Sequence, residues 1–484
     1  MKRKWMAVMV SGALITGASG TYVGMKWFEA EDVQINEQSK DEHFLESTNS
    51  KGQSLPDLAK IAQAYNLIKG SYVEEVDDQQ LVEGAIQGMV STLDDPYSIY
   101  MDAKTASKFN QTLESSFEGI GAEVTAKDGK ILIVSPYKNS PAEKSGLKPK
   151  DEIIKIDGES IEGLDLYQAT TKIRGKKGTT VTLDIKREGV SKALQFKVKR
   201  DEIPMETVFA SIKYEGNKPI GYIEITQFSK DTAKDFKREL KKLEKQNMKG
   251  LIIDVRGNPG GLLLSVQEIL DTLVTSQKPY YQIQQRDGEK LPYYSNLEKS
   301  KPYSIAVLVD EGSASASEIL AGALKEAEGY TLIGEKTFGK GTVQDAVPMG
   351  DGSTIKLTMY KWLTPNGNWI HHKGIQPTIE MKQPDYFYIH PLEVEETLKP
   401  DMNNEQVKIA QKMLDGLGYS PGRSDGYYNQ KTKTAVRAFQ NQVSLPATGE
   451  LDVKTAQRLE EEIISAIKDE KNDLQLQVAL KYFQ

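Results

Sequence analysis

Three serines at alternate positions, Ser313, Ser315 and Ser317, lie in the stretch Asp310 to Leu324, DEGSASASEILAGAL, between an apolar run and an amphipathic helical pattern. A serine at a strand-to-helix turn sits beside the unpaired N–H groups and positive dipole end of the helix, and both stabilise a developing oxyanion. In EKTFGKGTVQD, Lys340 stands between Gly339 and Gly341, and Gln344 follows at i+4. If Gly341 to Ala346 is extended, a period of two puts Lys340 and Gln344 on one face, so that the amide oxygen can hold the amine. A lysine accepts a hydroxyl proton only as the neutral amine, and desolvation lowers its pKa far enough for that. Ser315 as nucleophile, Lys340 as base and Gln344 as orienting group would together perform acyl transfer. A third segment, DVRGNPGG (Asp254 to Gly261), follows the apolar run LII and reads as a turn presenting backbone N–H groups. It predicts an oxyanion hole shared between Gly260 or Gly261 and the N–H of Ala316.

Each of these features has a simpler account. Ser315-x-x-Glu318 is also a capping box, which by itself only begins a helix. Lys340 also reads as a phosphate-binding or solvated loop lysine, although Gly341 between Lys340 and Thr342 breaks the P-loop pattern. The glycine-rich turn also reads as an ordinary tight turn. Ser-x-x-Lys recurs at Ser135–Lys138 and Ser145–Lys148, so that spacing alone carries little weight. His371 or His372 could serve a conventional triad, but no Gly-x-Ser-x-Gly elbow accompanies them.

The elements that must position these groups follow from length and pattern. A chain of 484 residues exceeds one hydrophobic core and predicts several domains. It is 38% hydrophobic and 27% charged with net charge −7, so most of it should fold, and no broad cationic surface is offered to nucleic acid. Cysteine is absent and the four histidines form no HExxH pair, so the chemistry is expected to need neither metal nor organic cofactor. Lys2, Arg3 and Lys4 precede an apolar run from Trp5 to Met25, which predicts an export signal in 1–28, retained as a membrane anchor in preference to being cleaved. Residues 29–54 read as a polar linker.

Helical spacing of Leu58, Ile61, Tyr65 and Ile68, then Leu81, Ala85 and Met89, predicts an N-terminal helical domain over 55–112. Short β runs separated by turns predict a compact half-open barrel over 115–202. IGYIEI, GLIIDV, SIAVLVD and TLIGE, alternating with amphipathic helical stretches, predict a layered α/β core over 203–394. A mostly helical segment occupies 395–484. Its tail fits a strand, with Leu474, Leu476, Val478 and Leu480 alternating, and equally a helical stripe of Leu476, Ala479, Leu480 and Phe483.

GSASASEILAGAL, with FGKGTVQ 25 residues after the central serine, plus DVRGNPGG and AIQGMVSTLDDPYSIY upstream, resemble the C-terminal processing (tail-specific) peptidases over roughly residues 60 to 390. That resemblance implies the roles given above to Ser315, Lys340 and Gln344, and a crotonase-like α/β core. FEGIGAEV with SPAEKSGLKPKDEIIKIDGESI is similar to the PDZ domain of that family, which implies capture of a terminal carboxylate around Gly119, Ile120, Gly121 and Ala122. Arg174 in KIRGKKG is a candidate bridge between this module and the core, or a solvated turn arginine. Leu417-Gly418-Tyr419, Asp425-Gly426, Thr432, Ala435-Val436, Phe439-Gln440 and Thr448-Gly449 are similar in order to the peptidoglycan-binding type 1 module; a helical oligomerisation domain is the competing account.

The function implied is an exported serine endopeptidase acting on proteins or peptides with a free C-terminus. Peptidoglycan and membrane contacts in a Gram-positive envelope are expected, with self-association through the N-terminal helices or the tail. The other class is a catalytically inactive PDZ and wall-binding adaptor.

Overall fold

A computed structural model describes residues 56–484 apart from positions 128, 138, 165, 188, 189, 191, 393 and 395. The export segment (1–28) and the linker (29–54) lie outside the described residues. The central sheet has six strands, in the order Val208–Glu215, Lys218–Ile225, Gly250–Asp254, Ser304–Val309, Thr331–Gly334 and Ile379–Glu380. The first two form an antiparallel hairpin, and every later pairing is parallel. Parallel strands covered on both faces read as unbroken apolar runs, which accounts for LIID and SIAVLV.

Alternation within those runs sorts the side chains between two cores. Leu251, Ile253, Ile305 and Val307 meet residues of the helices Thr232–Lys245, Leu263–Leu270 and Ala316–Glu326. Ile252, Ala306 and Leu308 face the other way, onto Leu476, Ala479 and Leu480. The tail is therefore a helix, Leu474–Lys481, and its i, i+3, i+4 stripe roofs the outer face of the sheet. The Phe483 ring fills the space beside Gly250, where a Cβ would come within 2.4 Å of it. Asp473 caps the tail helix by accepting the Leu476 N–H at 2.9 Å. The same carboxylate takes the Arg256 guanidinium in two bonds of 2.9 and 2.8 Å. Arg256 also grips Asp254 at the end of its own strand.

A second, antiparallel sheet is built on the long strand Thr354–Leu363, which pairs with Thr342–Pro348, Ile99–Met101 and Tyr281–Gln284. Between 115 and 202 lies a β module with strand order Ala122–Lys127, Lys130–Pro136, Glu152–Ile156, Thr180–Lys186, Leu194–Lys199 around its own core. In the C-terminal region, helices Glu405–Gly416, Gln430–Gln442 and Val453–Lys468 enclose a core of Val407, Leu414, Val436, Phe439 and Leu459. There the Gln411 and Gln440 amides each accept one glycine N–H, from Gly426 and Gly449, and tie a turn to a helix.

The N-terminal helices form where the spacing predicts, as Pro56–Ser71 and Asp78–Ser91. No residue of the second is buried, and Leu58, Leu67, Ile68 and Met89 of the pair are exposed, so these helices have no core of their own within the described chain.

Truncating Asp473 to alanine leaves Arg256 short of two charge-assisted bonds in a largely buried position, and is expected to destabilise the central α/β core by about 2 kcal/mol. A melting temperature unchanged from the parent would show the tail to be only loosely docked.

Candidate active site

The GSASAS and DVRGNPGG turns lie side by side, because the strands they follow, Ser304–Val309 and Gly250–Asp254, are parallel neighbours in the sheet. Ligand sites of such sheets form at the carboxyl ends of the strands. The outer two serines are consumed in joining the turns. The Ser313 hydroxyl donates to the Val255 carbonyl at 2.8 Å and the Ser317 hydroxyl to the Asn258 carbonyl at 2.8 Å, and both serines are fully buried. Ser315 alone of the three is partly exposed, and it lines a small pocket with Gly261, Leu263, Ala316, Ile319, Val343, Gln344 and Trp362. Its backbone, at φ 54° and ψ −112°, lies outside the conformations an L-residue favours, a cost of about 1–3 kcal/mol.

Asn258, also fully buried, shapes the facing turn. Its side-chain N–H₂ donates to the Ile225 carbonyl at 2.7 Å, and its Oδ1 accepts the Gly260 N–H at 2.8 Å. Gly260 must be glycine because a Cβ there would lie 2.8 Å from the Ala314 carbonyl oxygen and 2.9 Å from the Ser315 Cβ. With the Gly260 N–H taken by Asn258, the amides of Gly261 and Ala316, which both line the pocket beside Ser315, are the remaining candidate donors.

Glu318 joins the serine turn to the lysine loop. It is fully buried, and one carboxylate oxygen, Oε2, accepts both the Ser315 N–H at 3.0 Å and the Lys340 N–H at 2.8 Å. The other oxygen takes the Thr337 hydroxyl at 2.6 Å and the Gly339 N–H at 2.7 Å. Burial raises the Glu318 pKa, and these four donors oppose the rise. The capping-box spacing is thus present, but its glutamate reaches well beyond its own helix.

Lys340 is withdrawn from water, 1% exposed, with Nζ 4.8 Å from the centre of the Tyr97 ring. Its pKa is driven well below the lysine range by burial first and by the nearby Lys356 second, while Asp95 and Glu318 pull the other way. Gln344 is buried next to it in the chain but does not hold the amine by its oxygen. The pairing with Thr354–Leu363 slips here, with Val343 opposite Tyr360 and Gln344 opposite Thr358, so the extra residue Met359 lies on the partner strand. The amide N–H₂ donates instead to the Thr342 and Thr358 hydroxyls, each at 3.0 Å, and Oε1 is buried without a hydrogen-bond partner. His371 accepts the Gly341 N–H at 3.3 Å on Nδ1 and stacks on Trp369, so it shapes the rim of the lysine loop.

Comparison with known proteins bears on this geometry. Residues 219–381 match Peptidase family S41, residues 119–199 a PDZ domain, residues 14–105 the Activating protease CtpB N-terminal domain, and residues 403–459 a Putative peptidoglycan binding domain. Carboxy-terminal processing protease CtpB of Bacillus subtilis is 56% identical over 99% of both chains. This chain belongs to the carboxy-terminal processing proteases. CtpA of the same organism is 45% identical over 87% of this chain and 89% of its own. A solved structure, the photosystem II D1 C-terminal processing protease, is 25% identical over 66% of this chain and 92% of that one, with a TM-score of 0.41. The chain is accordingly a serine-type C-terminal processing protease of mixed α/β fold, carrying a PDZ domain, N-terminal helices and a C-terminal helical region.

In the PDZ domain, Gly119 ends the strand Ser116–Gly119, Ile120 and Gly121 form a buried turn, and Ala122 opens the strand Ala122–Lys127. That strand is the edge of its sheet. Arg174 lies beside the same turn: it stacks on the Phe117 ring at 4.8 Å and donates to Gln111 Oε1 at 2.8 Å. It therefore reaches the helix Ala103–Leu113, which connects the PDZ domain to the core.

Sequence reading missed Asn258, the second role of Glu318, and the Asp95–Tyr97 segment that covers the lysine. A signal existed for each in the polar residue types held inside apolar or glycine-rich motifs, but their partners are far away in the chain. Replacing Glu318 by glutamine keeps one acceptor oxygen and adds a donor facing other donors. The expected result is a loss of activity of about 100-fold with a lower melting temperature; near-parent turnover would show that the carboxylate does not position the two loops.

Proposed function

We propose that the protease works through a serine–lysine mechanism. Ser315 attacks the scissile carbonyl as its hydroxyl proton passes to the neutral Lys340 amine. The resulting ammonium protonates the leaving amine, and water then releases the acyl group from Ser315. The observation that carries this reading is the buried lysine of depressed pKa, whose loop shares a carboxylate oxygen with the amide of Ser315. The amides of Gly261 and Ala316 are suited to stabilise the oxyanion, with Gly260 as their steric support. The pocket floored by Leu263, Ile319 and Trp362 suits a small apolar side chain at the cleaved bond. Gln344 orients the lysine in this scheme once its unpartnered oxygen turns toward the amine.

The PDZ domain selects the substrate in this reading. An extended peptide adds to the edge strand Ala122–Lys127, and its terminal carboxylate meets the turn Gly119 to Ala122. Arg174, poised between Phe117 and Gln111, is the residue through which an occupied turn would be sensed by the core. The module at 403–459 would hold the enzyme on peptidoglycan, and the run Trp5 to Met25 would hold it at the outer side of the membrane in a Gram-positive envelope. The exposed apolar stripes of Pro56–Ser71 and Asp78–Ser91 favour a homodimer. The inactive-adaptor reading is disfavoured by membership of the protease family at 56% identity along the full chain.

Casein digestion should vanish in both Ser315→Ala and Lys340→Ala with the melting temperature kept, and digestion by Ser315→Ala at the parent rate refutes the mechanism. A peptide ending in a free carboxylate should be cut at least ten-fold faster than its C-terminal amide, a difference arising from the lost charge-assisted contacts. Equal rates would remove the PDZ domain from substrate choice.

A further inference from the structure

A second lysine is buried in the same site. Lys356 has no exposed surface, although it lies in the middle of the long strand Thr354–Leu363. Its register neighbours are Ala346 on the strand that follows Lys340 and Ile99 on the N-terminal segment. Two residues on, and so on the same face, Thr358 holds the Gln344 amide. The Lys356 Nζ lies 5.2 Å from the Phe109 ring centre, much as that of Lys340 lies over Tyr97. One carboxylate, Asp95, acts on both lysines. It is fixed by the Ser98 hydroxyl at 2.6 Å and the Tyr97 N–H at 3.1 Å. Removing an ammonium from water is costly, and an apolar side chain of similar length would pack there at less expense. The retained charge therefore calls for a role.

We propose that Lys356 is a positioning residue for catalysis, the resident cation of the site, acting through Lys340 by making a second positive charge there unfavourable. This rests on the reading of Lys340 as the base. Two cations in one water-excluded region do not both keep their protons. Burial draws Lys356 down to about 8, opposed by Asp95, so it remains the protonated partner at neutral pH. Around Lys340 the remaining titratable groups are Glu318, Tyr97 and His371, the last held low by burial and carrying no charge at that pH. Beside Lys356 the ladder also brings Asp345, opposite Leu357, whose pKa burial raises.

The test is the pH profile of kcat/KM, together with the pH dependence of fluorophosphonate labelling of Ser315, in the full chain. Lys356→Met removes a like charge, raises the Lys340 pKa, and should move the acid limb upward by about one pH unit. Asp95→Asn removes an opposite charge and should move it downward. A merely structural role does not produce opposite displacements. Limbs coincident with the parent in both folded variants, or displacements of the same sign, overturn the proposal. If Lys356→Met does not fold, Lys356→Gln, which also removes the charge, decides alone, and an acid limb that stays or falls overturns the proposal. Lys340→Ala serves as the reference: should it retain activity, the serine–lysine mechanism itself fails, whereas an inactive Lys340→Ala with unmoved limbs counts only against Lys356.

Discussion

The site depends on one carboxylate kept out of water. Moving an ionised acid into a protein interior is expensive unless donors replace its hydration, and Glu318 receives four, one from the serine turn and three from the lysine loop. That requirement fixes relative position. Ser315 and the Lys340 loop cannot drift apart without leaving a buried oxygen unsatisfied, and the unfavourable backbone of Ser315 persists because its N–H is anchored in this way. The same logic applies one turn away, where Asn258 spends its amide and its carbonyl on keeping Gly260 against the serine.

The sheet and its helices were legible in the sequence because parallel strands covered on both faces leave continuous apolar runs, and the helices that flank them keep a regular spacing. Ser315 was legible as a serine at a strand-to-helix turn. Less legible was anything decided by a partner distant in the chain. Gln344 lies where the pairing slips past Met359 of the partner strand, which local periodicity does not announce, and its amide meets Thr342 and Thr358 where alternation predicted the lysine amine. Glu318 fits a capping motif in sequence, and only the folded chain brings Thr337, Gly339 and Lys340 to it. The tail fitted two periodicities equally, and the outer face of the sheet selected the helix by offering Ile252, Ala306 and Leu308 to its stripe. The N-terminal helices show the opposite case, with correct local pattern and no core to receive it.

The lysine pocket is assembled from both ends of the protease region. Asp95, Tyr97 and the strand Ile99–Met101 come from the segment before the PDZ domain, yet they close over Lys340 and pair with the strand that carries Lys356. The helix Ala103–Leu113 that follows supplies Phe109 to Lys356 and Gln111 to Arg174. The environment that sets the protonation of Lys340 and the contact that ties down the PDZ turn are thus carried on one short stretch of chain.

The tail helix bears on how far this protein can be trimmed. Sequence patterning suggests a clean cut near residue 395, separating the hydrolase from the wall-binding module. Yet the chain beyond that module returns to cover the hydrolase sheet, and Asp473 reaches Arg256, two residues past the strand that leads into the glycine turn. A shortened enzyme ending at the apparent boundary would expose Ile252, Ala306 and Leu308 to solvent and release the arginine beneath its own catalytic floor. The modules are laced together, and loss of the last one by proteolysis would be felt at the scissile bond.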